Sequence, residues 1–412
     1  MRVLHTADWH FGRSLESRSR QEEHERFVDE LCAIVRDEAI DLVLVAGDIF
    51  DTVNPSAAAE ELYCDALARL GENGKRGVVV IAGNHDSPDR LSAVRPLAQR
   101  HGATLLGYPY DDPGCYGSDP QRVRRVAAGP GWAEIALPGV DHSAVVLALP
   151  YPSESRLKQL LADSLGEEEL QRSYSDQVRR WFEVASQHYR PETVRLAMSH
   201  IYVAGGAESV ESERPIQMGG AYTVTPQAMP AAAQYVALGH LHRAQQVHSA
   251  PSLTRYAGSP IAFSFSEANY AKTVTILDLQ PADERAAVRA VELSAGRPLV
   301  RWQATEGIAQ VERWVAEGKD PTAWIDLEIH VQTPLTLDQV HRLRQMRAEF
   351  IHIRPVIATA EAELALTTER QALSLQEQFT RFFQANRGGT PSDELVRLFL
   401  ELAADEDEEV EA

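Results

Sequence analysis

Five short polar clusters in this sequence bring together carboxylates, histidines and an asparagine, and each follows a run of apolar residues. They are Asp8-Trp9-His10, Gly47-Asp48-Ile49-Phe50-Asp51, Gly83-Asn84-His85-Asp86, Ser199-His200 and Gly239-His240-Leu241-His242. One cluster alone would mean little, because a histidine at the end of a strand is commonly a hydrogen-bonded structural residue. Five clusters in this order are typical of a site that holds two metal ions.

These residue types suit two divalent cations that share one ligand. A carboxylate can bridge two ions held roughly 3.5–4 Å apart, and Asp48 is the natural bridge. Asp8 and His10 can reach one ion, and Asn84 can reach the other. The histidines of the later clusters complete the two shells: His200, His240 and His242. Mixed oxygen and imidazole ligation favours Mn, Fe, Co or Zn over Mg or Ca, and such a pair of ions serves in-line hydrolysis at phosphorus.

His85 is the candidate for proton transfer in this site. It directly follows Asn84 and need not bind a metal ion itself. Asp86 is expected to hold the other nitrogen of the His85 imidazole and to fix its tautomer. His85 could then protonate the leaving alkoxide or stabilise the pentacoordinate phosphate. The alternative interpretation is that His85 only caps the turn.

Several charged residues near the clusters are weaker candidates. Arg13 and Arg90 lie in loops directly after two of the clusters and are candidates for phosphate contacts. Asp51 either supports the metal site or caps a helix. A basic group could follow a nucleic-acid backbone, although a solvated loop face is the preferred interpretation: Arg122, Arg124 and Arg125. The remaining histidines singled out are assigned to the core (His5) or to helices and the surface (His24, His188 and His248).

The elements that position these clusters alternate between short apolar strands and amphipathic helices. Apolar residues recur at helical spacing in the segment 19–39, and a second helix is predicted over residues 56–70. Continuous apolar runs predict buried parallel strands over residues 3–6, 42–45, 78–81, 145–149, 194–198 and 235–238. Because function gathers at the carboxyl ends of strands in such sheets, this order brings the five clusters together.

The second part of the chain is organised differently. Strands predicted over residues 273–279 and 287–293 complete the first domain, and a smaller α+β domain follows from residue 296. Its predicted elements are strands 299–302, 324–331 and 350–353 and helices 308–317 and 337–346. Earlier in the chain, residues 111–131 are rich in Asp, Pro, Gly and Arg, which predicts a long loop or a mobile insertion.

Two short helices with apolar stripes are expected near the C-terminus. Thr390 is the predicted N-cap of the second helix, with Pro391 at its first position. Two such helices cannot bury their stripes against each other alone, so we expect them to dock on another surface. The stripe residues are Leu375, Phe379, Phe382, Phe383, Leu395, Leu398, Phe399 and Leu402. The acidic tail 405–411 is interpreted as a solvated end.

The composition bounds the remaining possibilities. A length of 412 residues predicts two or three domains. The 44% hydrophobic and 24% charged residues exclude a disordered or fibrous protein. The sequence has no apolar run long enough to span a membrane, and we expect no export signal. Three cysteines without a CxxC motif fit a reducing cytoplasm. A net charge of −20 argues against a chain that grips DNA unaided.

Longer segments around the clusters resemble a known family. HTADWHFGR, AGDIFD, GNHDSPDRL and YAGSPIAFSFSE are similar to calcineurin-like metallophosphoesterases over about the first 245 residues, and in particular to the nuclease subunits of bacterial DNA repair complexes. FFQANRGGTPSDELVRLF extends the similarity to nearly the whole chain. The resemblance implies an α/β fold: a two-sheet metallophosphoesterase β-sandwich flanked by helices, a small α+β capping domain and a C-terminal helix pair. The implied domains are residues 1–295, 296–360 and 361–412.

The resemblance also implies an activity. The chain would be a Mn-dependent nuclease, acting as a 3′-to-5′ exonuclease on double-stranded DNA ends and as an endonuclease on hairpins and single strands, in DNA repair, recombination and replication. His85 would be the catalytic histidine and Asp86 its partner. The implied ligands of the two Mn²⁺ ions are, respectively, Asp8, His10, Asp48 and His242, and Asp48, Asn84, His200 and His240.

The implied partner is an ABC-type ATPase with a long coiled coil. The C-terminal helix pair would pack on the base of that coil, and the partner would supply much of the basic DNA surface. A homodimer within a heterotetramer is also implied, in the cytoplasm and on the nucleoid when bound to DNA. Two alternatives stay open: a phosphomonoesterase or cyclic nucleotide phosphodiesterase with the same metal site, and a scaffold that has lost catalysis. The C-terminal third of the chain argues against the phosphomonoesterase or phosphodiesterase alternative. The complete ligand set argues against the scaffold alternative.

Overall fold

The computed structural model describes residues 1–153, 174–209, 223–268 and 270–357, together with residues 376, 379–380, 395–397 and 399. The chain divides into two compact units. The first comprises Met1–Arg301 with Asp320–Asp326, and the second comprises Trp302–Lys319 with Leu327–Ala412. All five polar clusters belong to the first unit. Within the described ranges, no helix combines the length and the apolar character needed to cross a bilayer.

The described part of the first unit contains two large sheets and a short hairpin, all built from short strands. In chain order they are β1 (Arg2–Thr6), β2 (Ser14–Leu15), β3 (Arg18–Ser19), β4 (Leu42–Ala46), β5 (Gly77–Ile81), β6 (Ala103–Leu106), β7 (Arg124–Gly129), β8 (Trp132–Ala136), β9 (Ser143–Leu149), β10 (Val194–His200), β11 (Tyr235–Gly239), β12 (Gln245–Gln246), β13 (Thr254–Tyr256), β14 (Thr273–Asp278) and β15 (Ala287–Glu292). The apolar runs predicted as strands all form strands, which confirms the α/β class.

Two sheets contain the larger strands, and each has a parallel centre. The first sheet has the order β15-β14-β1-β4-β5-β6, in which β1, β4, β5 and β6 run parallel and β14 pairs antiparallel with β1. The second has the order β12-β13-β11-β10-β9-β8-β7, in which β9, β10, β11 and β13 run parallel. The predicted two-sheet sandwich is confirmed.

The core lies between the sheets and on their outer faces. Alternate residues of β4 point to opposite sides. Leu42 and Leu44 pack with residues of the second sheet such as Leu196, whereas Val43 and Val45 belong to the cluster that helices cover. Because both faces are buried, every residue of β4 is apolar, and each fully buried Leu or Val stabilises the fold by about 1.5–3 kcal/mol.

Helices cover the outer faces of the sandwich. They are α1 (Gln21–Asp37), α2 (Ala57–Gly71), α3 (Pro88–Ala93), α4 (Arg95–Ala98) and α5 (Tyr174–Ala185). The side chain of Ser56 caps α2 by accepting a hydrogen bond from the Ala59 amide. Phe27, Leu31 and Val35 form the buried stripe of α1, as their helical spacing predicts. His24 also lies in this helix but is fully buried.

The elements from residue 299 to residue 357 have the predicted α+β organisation. Strands β16 (Leu299–Ala304), β17 (Trp324–Val331) and β18 (Phe350–Ile357) form one sheet in that order, and helices α6 (Ile308–Ala316) and α7 (Leu337–Met346) complete the small domain. Trp302 lies at the centre of the core of this small domain, since its ring packs edge-on against the rings of Trp314 and Phe350. Thr336 and Gln339 form a capping box at the start of α7.

Residues 111–131 differ from the predicted loop. The segment contains β7, which pairs antiparallel with β8 at the edge of the second sheet. Arg125 is buried, and its guanidinium donates hydrogen bonds to the carbonyl oxygens of Gly114 and Pro113 at 2.8 and 3.0 Å. Both interpretations of Arg125, as a phosphate contact and as a solvated residue, are therefore wrong. The sequence misleads because this arginine satisfies buried carbonyl groups that only the folded loop brings together.

Only a few residues of the predicted C-terminal helix pair are described. The rings of Phe379 and Phe399 stack with their centroids 4.2 Å apart, so the two segments meet as their stripes require. Leu395 is exposed and Val396 is buried. The other stripe residues lie outside the described residues, as does the tail 405–411: Leu375, Phe382, Phe383, Leu398 and Leu402.

Candidate metal centre

The seven proposed ligands sit at or just beyond the carboxyl ends of five parallel strands. Three of the strands, β1, β4 and β5, belong to the first sheet, and β10 and β11 belong to the second. Parallel strands end at the same edge of their sheet, so each sheet contributes one half of the site. Of the seven residues, Asn84 is half-buried and the other six are buried: Asp8, His10, Asp48, His200, His240 and His242.

The donor atoms converge on one carboxylate oxygen of Asp48. Its Oδ2 lies 3.4 Å from Nε2 of His200 and 3.6 Å from Nε2 of His10. Nε2 of His85 lies 4.0 Å away from the same oxygen. Since these residues come from loops at the ends of both sheets, Asp48 occupies the centre of the site, where a bridging ligand belongs.

Two groups of donors flank this central oxygen. On one side, Nε2 of His10 faces Nε2 of His242 at 3.1 Å. On the other, Oδ1 of Asn84 lies 2.9 Å from Nε2 of His200 and 3.2 Å from Nδ1 of His240. Asp8 connects the sheets, because its Oδ1 accepts a hydrogen bond from the His240 amide at 2.9 Å. The geometry therefore presents two neighbouring donor groups with Asp48 between them.

The backbone at four of these residues adopts the left-handed region. The φ angles are +56° at Asp8, +46° at His10, +51° at Asp48 and +104° at His240. Residues other than glycine rarely adopt such angles, and strain of this kind clusters at functional sites because the surroundings must enforce it. The turns thus aim adjacent side chains back toward the centre of the site.

Two glycines allow the ends of the two sheets to approach each other. A Cβ atom on Gly239 would lie 1.9 Å from the carbonyl oxygen of Ala46, and one on Gly47 would lie 2.4 Å from Nδ1 of His200. Either contact is shorter than atoms tolerate. Glycine is therefore required where β4 and β11 come together at the metal centre.

The electrostatics of the imidazoles suit cation binding. Burial lowers the pKa of His10 to about 3 and also lowers the pKa of His240 and of His242. Neutral imidazole is the form that binds a metal ion. Burial would also lower the pKa of His200, but the Asp48 carboxylate outweighs it and raises that pKa to about 9. His200 and Asp48 thus form an ion pair, and a cation bound by His200 would replace its proton.

The donor set fits divalent metal ions. Among the described residues, three close groups of potential ligands have their ligand atoms within 4.8 Å of one another: Asp8, His10 and His242; Asp8, Asp48 and His200; and His10, Asp51 and His85. Two neutral imidazole nitrogens that face each other at 3.1 Å, as in His10 and His242, repel unless a proton or a cation lies between them. A cation bound by both nitrogens would remove this conflict.

The environment of His85 corrects one prediction. Asp86 was expected to hold the second nitrogen of the His85 imidazole, and this is wrong, because Nδ1 of His85 faces the carbonyl oxygen of Asp51 at 2.7 Å. The Asp86 carboxylate instead accepts hydrogen bonds from the amides of Gly83, Phe50 and Ile49 at 2.8, 2.9 and 3.2 Å. Asp86 therefore ties the loop after β4 to the loop after β5.

Asp51 contacts residues on the His10 side of the site. Its Oδ1 lies 3.6 Å from Nδ1 of His10 and 3.7 Å from the Arg13 guanidinium. The cap of α2 is Ser56. Of the two interpretations of Asp51, the structure favours support of the metal site over helix capping.

The two candidate phosphate-binding arginines differ in position. Arg13 lies beside the site, with its guanidinium 4.9 Å from the centre of the Phe263 ring. Phe263 in turn packs edge-on against the imidazoles of His10 and His242. Arg90 is exposed and donates to Glu60 of α2 at 3.0 Å. The structure therefore brings Arg13, but not Arg90, into contact with residues of the site.

A buried carboxylate near His242 did not figure among the candidates from sequence. Oε1 of Glu267 lies 3.3 Å from Nδ1 of His242, and its Oε2 accepts a hydrogen bond from Lys272. Burial alone would raise the pKa of Glu267, but Lys272 and His242 outweigh it and lower that pKa below its usual range. Glu267 is the last residue of the YAGSPIAFSFSE segment, and its place at the end of that segment is the signal that could have identified it.

Comparisons with known proteins agree with this geometry. The model of a family described as calcineurin-like phosphoesterase matches residues 1–244. SbcD, the nuclease component of SbcCD, from Bacillus subtilis (strain 168) is 48% identical over 410 residues, which cover 99% of this chain and 99% of that protein. The SbcD protein of Rhodobacter capsulatus is 36% identical over 318 residues, covering 73% of this chain and 71% of that protein. The SbcD protein of Escherichia coli K12 is 28% identical over 397 residues, covering 92% of each.

Proposed function

The chain belongs to the calcineurin-like phosphoesterase family, and from this premise we propose that it is a metal-dependent DNA nuclease that works with an SbcC-type ABC ATPase. The observation that carries the proposal is the convergence of buried imidazole nitrogens on Oδ2 of Asp48, at 3.4 and 3.6 Å from His200 and His10. The full-length similarity to the SbcD nucleases supports a phosphodiester in DNA as the bond that is cut.

Two Mn²⁺ ions are the proposed cofactors. Asp8, His10 and His242 would hold one ion, Asn84, His200 and His240 the other, and Asp48 both. The division is supported by the two donor groups that flank Asp48, with His10 facing His242 and Asn84 facing His200 and His240. Bound ions of this kind supply an activated water and neutralise charge on the scissile phosphate.

His85 would supply a proton or a hydrogen bond to the leaving oxygen. Its Nδ1–H donates to the carbonyl oxygen of Asp51, so its Nε2 is the nitrogen that points toward Asp48 and the site. When protonated, that nitrogen can donate to the leaving alkoxide or to the crowded phosphate. The Asp86 carboxylate would act indirectly, because its hydrogen bonds hold the loop that carries His85.

Finer features of the activity are proposed from the same resemblance. The enzyme would act as a 3′-to-5′ exonuclease on double-stranded ends and as an endonuclease on hairpins and single strands. Arg13 would contact a substrate phosphate, a role supported by its position beside Asp51 and Phe263, and the exposed Arg90 would meet DNA farther from the metal ions. The apolar stripes around the stacked pair Phe379 and Phe399 would dock on the coiled coil of the ATPase.

The assembly and its location follow from the same proposal. A net charge of −20 leaves the basic DNA surface to the partner, within a heterotetramer that holds two copies of this chain. All three cysteines are free, Cys32 being buried and Cys64 and Cys115 exposed, which supports a place in the reducing cytoplasm, on the nucleoid when DNA is bound.

The test is degradation of end-labelled duplex and hairpin DNA by the purified full-length chain, alone and with its SbcC-type partner and ATP. We expect cleavage that requires Mn²⁺ and stops with a chelator. A His85→Ala variant that still binds Mn²⁺ should lose on the order of 10²–10⁴-fold in rate, because a positioned proton donor contributes about that much. p-Nitrophenyl phosphate serves as the competing substrate.

The opposite result is equally clear. Turnover of the small ester, with DNA intact even when the partner and ATP are present, would favour the phosphomonoesterase alternative. Inactivity toward both substrates in a chain that has bound Mn²⁺ would favour the scaffold alternative.

A further inference from the structure

A buried carboxylate lies directly behind the imidazole of His242. Glu267 closes a short helical turn, Phe265–Glu267, and its side chain is fully buried. One carboxylate oxygen, Oε1, lies 3.3 Å from Nδ1 of His242 and accepts a hydrogen bond from the Phe263 amide at 3.2 Å. The other nitrogen of the same ring, Nε2, faces His10 and the metal centre at 3.1 Å.

The second oxygen of this carboxylate is held as firmly as the first. Lys272 donates to Oε2 of Glu267, and the Ser259 hydroxyl lies 3.2 Å from the same oxygen. Lys272 also donates to the carbonyl oxygen of His242 at 3.2 Å, and the Ser259 amide donates to that carbonyl at 3.1 Å. Glu267 thus contacts the ring of His242, and Lys272 and Ser259 donate hydrogen bonds to its backbone carbonyl.

Stability alone is a poor explanation for this arrangement. Taking a carboxylate and an ammonium out of water costs several kcal/mol per ion, and apolar residues of similar volume often stabilise a core as well or better. A carboxylate on Nδ1 does something that an apolar residue cannot do. It places the proton on Nδ1, so Nε2 presents its lone pair, and it prevents rotation of the ring.

We propose that Glu267 is a positioning residue that sets the tautomer and the direction of His242, and that Lys272 and Ser259 hold Glu267 in place. The inference rests on the proposed assignment of His242 as a metal ligand. It adds the buried Glu267 and the half-buried Lys272, which lie outside the seven proposed ligands, to the residues that determine metal affinity.

The variant Glu267→Gln tests this role, because the amide keeps the shape and removes the charge that fixes the tautomer. The measurement is equilibrium binding of Mn²⁺ to the full-length chain, followed by the electron paramagnetic resonance signal of the free ion. We expect two Mn²⁺ ions on the unmodified chain. In the variant, one of them should bind about 10- to 100-fold more weakly, the usual effect of losing such a partner, while the other is retained.

Glu134→Gln is the matched control. Glu134 is also buried and also accepts hydrogen bonds from a cation and a hydroxyl, Arg190 at 2.6 Å and Ser143 at 2.5 Å. It lies in β8, on a strand that carries none of the proposed ligands. We expect this variant to bind both ions as the unmodified chain does.

A second variant guards against misfolding, since Glu267→Gln leaves Lys272 without its buried counter-charge. The double variant Glu267→Gln with Lys272→Met removes both charges and should show the same loss at one ion only. Unchanged affinity at both ions in either folded variant would overturn the proposal, and so would an equal loss at both. Failure of the unmodified chain to bind two Mn²⁺ ions would instead overturn the metal assignment on which the inference rests.

Discussion

At the scale of single residues, three histidines of the site are oriented by a contact to the ring nitrogen that faces away from it. Nδ1 of His85 faces the Asp51 carbonyl at 2.7 Å, Nδ1 of His200 faces the Ala46 carbonyl at 2.9 Å, and Nδ1 of His242 faces the Glu267 carboxylate at 3.3 Å. Each contact leaves Nε2 to point inward. Three flexible side chains are thereby held in one direction before any ion or substrate arrives.

Replacing Asp86 should lower the free energy of unfolding strongly. Asp86→Ala leaves three buried amides without their acceptor, and each such group costs about 1–3 kcal/mol. We therefore expect the free energy of unfolding to fall by about 3 kcal/mol or more, as measured by urea denaturation of the full-length chain. Asp278→Ala, which removes an exposed carboxylate paired with Arg2, should cost less than about 1 kcal/mol. Similar losses in the two variants would contradict the role given to Asp86.

At the scale of elements, β1 serves both the site and the core. It pairs with β4 on one side and with β14 on the other, and Asp8 and His10 follow its end. Within the strand, Leu4 belongs to the helix-covered cluster and Val3 to the cluster between the sheets. His5 is buried, and its Nδ1 lies 2.8 Å from the Tyr235 hydroxyl of β11, so it joins the two sheets as the core residue it was predicted to be.

The burial of His5 predicts a pH dependence of stability. Burial lowers the pKa of His5 from 6.5 to about 3, so the unfolded chain binds this proton first. The contribution of the neutral ring is complete above pH 6.5 and is lost as the pH falls toward 3. Between pH 7.5 and 5.0 the loss should be about 2 kcal/mol. Urea denaturation at the two values checks this, because His5→Gln should lack that part of the slope. Equal slopes in both proteins would refute it.

Strand and helix positions were largely predictable, whereas the contacts that tune the site were not. Apolar runs such as Leu42–Ala46 mark buried strands in any context, and the clusters after them locate the donors. The Asp51 carbonyl on His85 depends on a loop conformation, and Glu267 approaches His242 only through the turn that ends at residue 267. The strand at Arg124–Gly129 escaped prediction because it begins with two arginines, has only a short apolar run and lies at a sheet edge.

At the scale of the whole molecule, the proposed metal ligands and the proposed partner-binding residues lie in different units. The proposed ligands all belong to the first compact unit, while the stacked pair Phe379 and Phe399 belongs to the second. The proposed coiled-coil contact can therefore be altered by substitutions that leave the metal centre unchanged. Such separation suits an enzyme whose partner presents the DNA.

Leu395 tests the proposed contact with the ATPase. Leu395→Glu places a charge on an exposed apolar residue of the stripe and should weaken binding to the SbcC-type partner by about tenfold or more, because burying an unpaired charge is costly. Mn²⁺ binding should be unchanged. Binding by isothermal titration calorimetry is the readout, with Leu337→Glu as the control, since Leu337 is 89% exposed at the start of α7. Full affinity in the Leu395 variant would move the interface elsewhere.

The glycines at positions 47 and 239 have a consequence for the stability of the protein in the cell. They let the ends of the two sheets meet so closely that ligands from residue 8 to residue 242 can share the same ions. Ions bound in this way would connect two sheets whose strands lie far apart in sequence. At a free concentration about a hundred times the dissociation constant, one such ion stabilises the native state by about 2.7 kcal/mol. Manganese supply would then govern the resistance of this chain to proteolysis as well as its rate of cutting.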